Sequence, residues 1–561
     1  MEKILDNQYY DLIISNALVP TYNTGDNITP LNEMNSLLHL LKNPMEACDL
    51  GEYPYHFFPA LYTLESTIGA AMPDRTVNAA QEVLPEMGLH GRGVIIGVVD
   101  TGIDYRHPVF MHNDGTTRII SIWDQTKQNS IPPRGFTFGA EYTRELLNFA
   151  LISDDPLAMA PTVDTVGHGT AIASIIAGRP NEENGFSGVI PEADLVVVKL
   201  KEAKRNLKAL FSVPENSLCF QESDIMLGIR YIIEVARRLN RPLVICLAVG
   251  SSQGGHDGKG PFSAYLDYVV QLPKTDVIVS AGNEANNRRH YYNNTQTGPF
   301  YNNFQLTVGV NDRKFFIEIW PYIPSRLFIE ITAPTFESSQ VVYPSMEVYC
   351  QKITFQSVRT EVWVNNIFFE EETGEQLILL RFQNASPGSW YFRIGSVSVE
   401  PFSFHCWLPS GNLISNETFF SDSDPNTTIT AQGDAEYPLT VTAYNQQNGE
   451  ILPESGRGYT RLGQIKPDIG APGYRIPCAI PENQYGTITG TGAAAAHAAG
   501  VGAMIMEWAY SKGNYTAVTG NQVNRLLVRE AQRAQDVSYP NNIWGYGKLD
   551  VEEVFKRLSG Q

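Results

Sequence analysis

Residues 486–500 read GTITGTGAAAAHAAG and continue into VGAMIMEW, so a Gly/Thr-rich turn precedes a long run of alanine and glycine. No Asp, Glu, Lys or Arg occurs in this run before Glu507. A helix of such small, apolar residues has no polar face and is stable only when buried on every side. The stretch therefore predicts a central helix whose first turn presents free backbone N–H groups and the positive end of the helix dipole. Enzymes place a nucleophile or an oxyanion at such a turn, and here it holds Gly492.

The sequence around this helix predicts an α/β architecture. Residues 94–99 (VIIGVV) form a continuous apolar run, which is typical of a buried parallel strand, and further runs of this kind alternate with helical patterns. Residues 313–431 differ, because short aromatic and β-branched runs separated by Pro/Gly turns indicate an inserted antiparallel β-sandwich of jelly-roll type. We expect a three-layer α/β domain from residues 85–312 and 432–561, preceded by a small α+β module at residues 1–84.

Composition limits the classes of partner. The chain has 561 residues, 43% hydrophobic and 18% charged, which predicts a folded protein of two to four domains. Its net charge of −19 argues against a nucleic-acid or anionic-membrane partner. No pattern of a signal peptide or membrane span is present, so we expect synthesis in the cytosol. The six cysteines have no metal-ligand spacing and are interpreted as buried or incidental thiols, and we expect neither a cofactor nor a metal.

Three polar residues stand where catalytic groups are found in α/β proteins. Asp100 follows the strand at 94–99, His168 lies in a Gly-His-Gly turn before a small-residue helix, and Asn283 follows the strand at 276–280. Ligands and catalytic groups lie at the carboxyl ends of parallel strands. Each residue alone has an ordinary structural interpretation, as a turn, cap or loop residue. An aspartate that orients a histidine base, with an amide donor for an oxyanion, is however the set that serine-based amide hydrolysis requires.

The motifs resemble, in order, those of the subtilisin-like serine proteases (subtilases, S8). GTGAAAAHAAG at 490–500 resembles the nucleophile segment Gly-Thr-Ser-x-Ala-Ala-Pro-His-Val-Ala-Gly, with the serine position on Gly492. The resemblance implies that Asp100 is the carboxylate, His168 the base and Asn283 the oxyanion donor. The insert between Asp100 and His168, the N-terminal module and the predicted jelly roll are similar to the Csp subtilases of spore-forming clostridia.

The resemblance carries implications for function. Glycine has no hydroxyl, so it predicts a pseudoprotease whose propeptide, residues 1–84, stays attached with its C-terminal end in the cleft. Membership of the Csp group implies regulation of spore germination in the cortex or coat region, by control of an active Csp-type protease or by sensing of a bile-salt or amino-acid germinant. Three alternatives remain open: an active endopeptidase trapped by a Ser-to-Gly change, a scaffold or chaperone, and a hole at Gly492 and Asn283 that binds a carboxylate.

Overall fold

The computed structural model describes residues 2–22, 25, 27–41, 50, 52–69, 88–128, 130–295, 300–346 and 350–559. Its central element is an eight-stranded sheet of order β25-β24-β13-β11-β6-β9-β7-β8. All neighbouring pairs are parallel except β7 with β8. The strands are β6 (Ile95–Asp100), β7 (Ile119–Asp124), β8 (Ala140–Thr143), β9 (Asp194–Lys199), β11 (Leu243–Leu247), β13 (Thr275–Ser280), β24 (Leu439–Tyr444) and β25 (Ile469–Pro472).

Helices cover both faces of this sheet, which confirms the three-layer α/β prediction. They are α1 (Arg144–Leu151), α2 (Pro156–Met159), α3 (His168–Ala177), α4 (Arg205–Leu210), α5 (Glu222–Leu239), α6 (Pro261–Val269), α7 (Thr491–Met506), α8 (Gly520–Arg529) and α9 (Val551–Ser559). Helices α3 and α7 pack in the apolar core on one face, and α5 and α6 in the core on the other. Every residue of α7 is buried, as the alanine-rich run predicts.

An antiparallel β-sandwich is inserted between β13 and β24. Its six-stranded sheet has the order β14-β22-β16-β20-β19-β18 and its four-stranded sheet the order β17-β21-β15-β23. The strands are β14 (His290–Thr295), β15 (Tyr301–Val308), β16 (Lys314–Pro321), β17 (Leu327–Thr332), β18 (Gln351–Phe355), β19 (Thr360–Ile367), β20 (Leu377–Gln383), β21 (Gly388–Ser396), β22 (Phe402–Trp407) and β23 (Phe419–Phe420). The sandwich thus begins at His290 rather than at 313, because the Asn- and Tyr-rich β14 and β15 are only half buried and lack a continuous apolar run.

The N-terminal residues form a small sheet and then a pair of strands that run through the α/β domain. Strands β1 (Tyr9–Ser15), β2 (Ile28–Pro30) and β3 (Asn35–Leu41) make an antiparallel sheet of order β1-β3-β2. Strand β4 (Leu61–Leu64) lies between β10 (Phe220–Gln221) and β12 (Val249–Gly250). Strand β5 (Thr67–Gly69) pairs with β27 (Gln484–Thr489), which pairs in turn with β26 (Ile476–Ile480). The expected module boundary at residue 84 lies outside the described residues.

Several expected absences concern only the described part of the chain. No helix there is long and apolar enough to cross a bilayer, and no cluster of acidic, histidine or cysteine side chains there could hold a metal ion. Four of the cysteines are free and buried: Cys219, Cys246, Cys406 and Cys478. The expectation of unpaired thiols is wrong for Cys350, which is disulfide-bonded.

Candidate active site

Asp100 and His168 form a buried hydrogen-bonded pair. Asp100 ends β6 and His168 opens α3, and the histidine Nδ1 lies 2.9 Å from both carboxylate oxygens of Asp100. Burial lowers the pKa of His168, but the Asp100 carboxylate outweighs it, so the histidine pKa is raised above its ordinary value. The other ring nitrogen, Nε2, is buried and has no hydrogen-bond partner among the described residues. A base oriented in this way holds its free nitrogen ready for a proton.

Asp164 fixes the turn that carries the histidine, and the sequence motifs gave no sign of this role. Its carboxylate accepts hydrogen bonds from the Gly167 N–H at 2.8 Å, from the Thr170 N–H at 2.9 Å and from the Thr101 hydroxyl at 2.9 Å. Since Thr101 follows Asp100, Asp164 ties the end of β6 to the start of α3. We therefore assign Asp164 a positioning role for the Asp100–His168 pair.

Asn283 and Gly492 donate to the same carbonyl oxygen. The Asn283 Nδ2 lies 2.6 Å from the Glu65 carbonyl oxygen, and the Gly492 backbone N–H donates to that oxygen at 3.0 Å. Asn283 is held in place because its Oδ1 accepts from the Thr491 N–H at 3.0 Å. Two donors that converge on one carbonyl oxygen at the start of a helix have the geometry of an oxyanion hole. The structure thus brings all four predicted site residues to one cleft.

The occupant of the cleft is the chain's own segment 61–69. Strand β4 adds to β10 and β12 on one side of the Glu65 carbonyl, and β5 adds to β27 on the other. The Glu65 N–H also donates to the Ala248 carbonyl at 3.0 Å. The segment therefore lies across the site as an extended peptide, and the Glu65–Ser66 peptide bond occupies the position of a bond to be cut. Neither residue was recognised from the sequence, because their meaning depends on strands far along the chain.

Ser66 fills the space that a side chain at position 492 would occupy. A Cβ on Gly492 would lie 2.6 Å from the Ser66 Oγ and 2.9 Å from the Ala248 Cβ, both closer than real contacts allow. The Ser66 Oγ accepts from the Ala493 N–H at 3.1 Å and donates to the Glu65 carbonyl at 2.7 Å. The expectation of an open hole for a carboxylate is therefore wrong in this conformation, because Glu65 and Ser66 already engage the donors.

The parallel sheet, the oriented histidine and the two donors together define a scaffold of the serine-peptidase class. The chain belongs to the subtilase family: the Subtilase family model, Peptidase S8, matches residues 91–361 and 410–547. The gap in the match falls in the β-sandwich, so the family pattern covers the α/β domain that carries the site.

Known proteases show the same relationship. The subtilisin-like protease SBT3 of Solanum lycopersicum is 27% identical over 495 residues, which cover 78% of this chain and 58% of that protein. Pyrolysin of Pyrococcus furiosus is 23% identical over 550 residues, covering 86% of this chain and 36% of pyrolysin. The chain spans 24% to 58% of the length of the curated relatives it matches. The structure of the Clostridium perfringens CspB protease superposes with a TM-score of 0.76 at 24% identity, covering 86% of this chain and 96% of that one. This last likeness establishes a shared fold.

Proposed function

We propose that the chain is a catalytically inactive subtilase, a pseudoprotease, that acts by binding. The observation that carries the proposal is Gly492 at the start of α7, where the family has its nucleophilic serine. His168 then has no hydroxyl to deprotonate, and no acyl intermediate can form. In subtilisin, removal of this serine costs roughly a millionfold in kcat.

The neighbouring hydroxyls do not replace the missing serine. The Thr491 Oγ1 accepts a hydrogen bond from the Gly282 N–H at 3.1 Å, which holds it in the wall of the site. Ser66 belongs to the bound segment itself, and its hydroxyl is engaged with the Ala493 N–H and the Glu65 carbonyl. A nucleophile must approach the carbonyl carbon in line with the oxyanion donors. Since neither hydroxyl is free to do so, the segment stays uncut and the N-terminal module stays attached.

We further propose that the protein regulates spore germination, in the cortex or coat region of the spore. The fold that it shares with the CspB protease and the loss of the serine support a role beside an active Csp-type protease. In such a role the inert chain controls the active relative or senses a small germinant, such as a bile salt or an amino acid. Spores that lack the chain are expected to form in normal numbers and to respond poorly to germinants. Unchanged germination of such spores would refute the regulatory role.

Inactivity is tested with a fluorophosphonate probe and intact-mass analysis of the full chain. The native protein is expected to take up no label and to keep the bond between Glu65 and Ser66. Gly492→Ser is expected to cut that bond or to take up label, since Asp100, His168 and Asn283 are in place. Gly492→Ala is the matched control, because it adds the same Cβ without a hydroxyl. Labelling of the native chain at the cleft would end the pseudoprotease proposal.

A further inference from the structure

The side chain of Glu65 occupies a closed polar pocket beside the oxyanion donors. Glu65 is 3% exposed. Its Oε1 accepts from the Thr430 hydroxyl at 2.6 Å, and its Oε2 accepts from the Gln432 Nε2 at 3.1 Å. Gly250 forms the opposite wall, where a Cβ would lie 1.7 Å from the Glu65 Oε1. The pocket therefore fits a side chain of this length only because position 250 carries none.

The pocket supplies too few donors for a charged carboxylate. The Gln432 amide has two N–H hydrogens, but its Nε2 faces three acceptors: Glu65 Oε2, the Ser280 carbonyl at 3.0 Å and the Thr430 Oγ1 at 2.7 Å. Glu65 has no ion-pair partner among the lysines and arginines that the structure describes. A buried carboxylate without a cation is strongly disfavoured, whereas a neutral carboxyl or carboxamide is not.

The charged and titratable groups around the pocket do not supply the missing cation. Burial raises the pKa of Glu65 to about 7, and the nearby carboxylate of Glu284 adds to this rise. Tyr62 and His168 are the other titratable groups that interact with Glu65, and burial raises the pKa of the tyrosine and so keeps it neutral. Gln432 Oε1 is buried without a partner among the described residues, so rotation of its amide can present an acceptor to a proton on the bound side chain.

We propose that this pocket is a specificity site for an uncharged, hydrogen-bonding side chain, so that the cleft selects peptide segments with protonated glutamate or glutamine before the held bond. The inference rests on the proposed function in that it treats the cleft as a binding site. Three residues earlier the segment carries Tyr62, which is 1% exposed and meets the Phe262 ring edge-on at 5.4 Å. The selected class is therefore an extended peptide of the pattern aromatic-x-x-Glu/Gln, and segment 61–69 is its resident member.

The test is hydrogen exchange of segment 61–69 in the full chain, in a series of low guanidinium concentrations, at about pH 5 and about pH 8. The raised pKa means that docking is strongest when Glu65 is protonated, below its ordinary pKa of 4.5, and weakens as pH rises through about 7. After correction for intrinsic rates, opening of the wild-type segment should increase roughly 70-fold between the two conditions. Glu65→Gln should remain closed at both pH values, and Glu65→Lys should open at both.

Glu436→Gln is the control, because Glu436 is an exposed acid four residues after Gln432. It should retain the wild-type response. The proposal is overturned if wild-type opening is independent of pH, or if Glu65→Gln keeps the full response, which would then belong to His168. Exchange requires no catalysis, so these results stand apart from the labelling test: a labelled native chain would contradict inactivity and leave the pocket's specificity as measured.

Discussion

Replacing Gly492 by alanine should loosen the segment in the cleft, and the loss should depend on Ser66. The added Cβ would lie 2.6 Å from the Ser66 Oγ and 2.9 Å from the Ala248 Cβ. Overpacking of this kind costs about 1–3 kcal/mol. Ser66→Ala alone removes the acceptor for the Ala493 N–H and a donor to the Glu65 carbonyl, which costs about 1 kcal/mol. In the double variant the new Cβ occupies space that the lost hydroxyl has left.

The two substitutions should therefore not add. The double variant is expected to lose about 1–2 kcal/mol less than the sum of the single variants, with a remainder caused by the contact with Ala248. The assay is native-state hydrogen exchange of residues 61–69 and of the Gly492 amide in the full chain, which gives the free energy of local opening. Effects that add to within about 0.5 kcal/mol would refute the assignment of Ser66 to the space above Gly492.

Two further substitutions test the donors and the pair. Asn283→Ala should open segment 61–69 roughly tenfold, because it removes the Nδ2 donor to the Glu65 carbonyl; unchanged protection from a protease that cuts this segment would contradict it. Asp100→Asn should lower the pKa of His168, since burial then acts without the carboxylate. The wild-type pair stabilises the fold below the ordinary histidine pKa of 6.5 and loses this contribution as pH rises through the raised pKa. Histidine NMR titration of both proteins measures the difference, and an equal or higher pKa in Asp100→Asn would count against the pair.

The α/β domain could be predicted closely because its elements are decided by local patterns. The apolar run at 94–99 became β6, the run at 276–280 became β13, and the alanine-rich run became α7. The helix expected to start after Ser223 starts at Glu222, so Ser223 lies in its first turn and is not the N-cap. The start of the sandwich was placed late because the half-buried β14 has side chains that alternate in burial only weakly, which leaves little pattern to read.

The candidate site could be predicted only where it depends on family motifs. Asp100, His168, Asn283 and Gly492 stand in such motifs, and the structure brings them to one cleft. Glu65, Ser66 and Asp164 stand in no motif. Glu65 and Ser66 acquire their roles from Gly250, Thr430 and α7, which are separated from them by hundreds of residues. A local pattern cannot report such contacts.

The loss of the serine and the occupied cleft support one another physically. A serine at position 492 would add a Cβ in close contact with the Ser66 Oγ and would set a nucleophile beside the Glu65–Ser66 bond, so it would both strain and cut the segment. Glycine removes both effects, and it leaves its N–H and that of Ala493 to bind the Glu65 carbonyl and the Ser66 hydroxyl. The same change that removes hydrolysis therefore improves the fit of the uncut chain. This is why we regard the cleft of this subtilase as a binding site closed by its own segment.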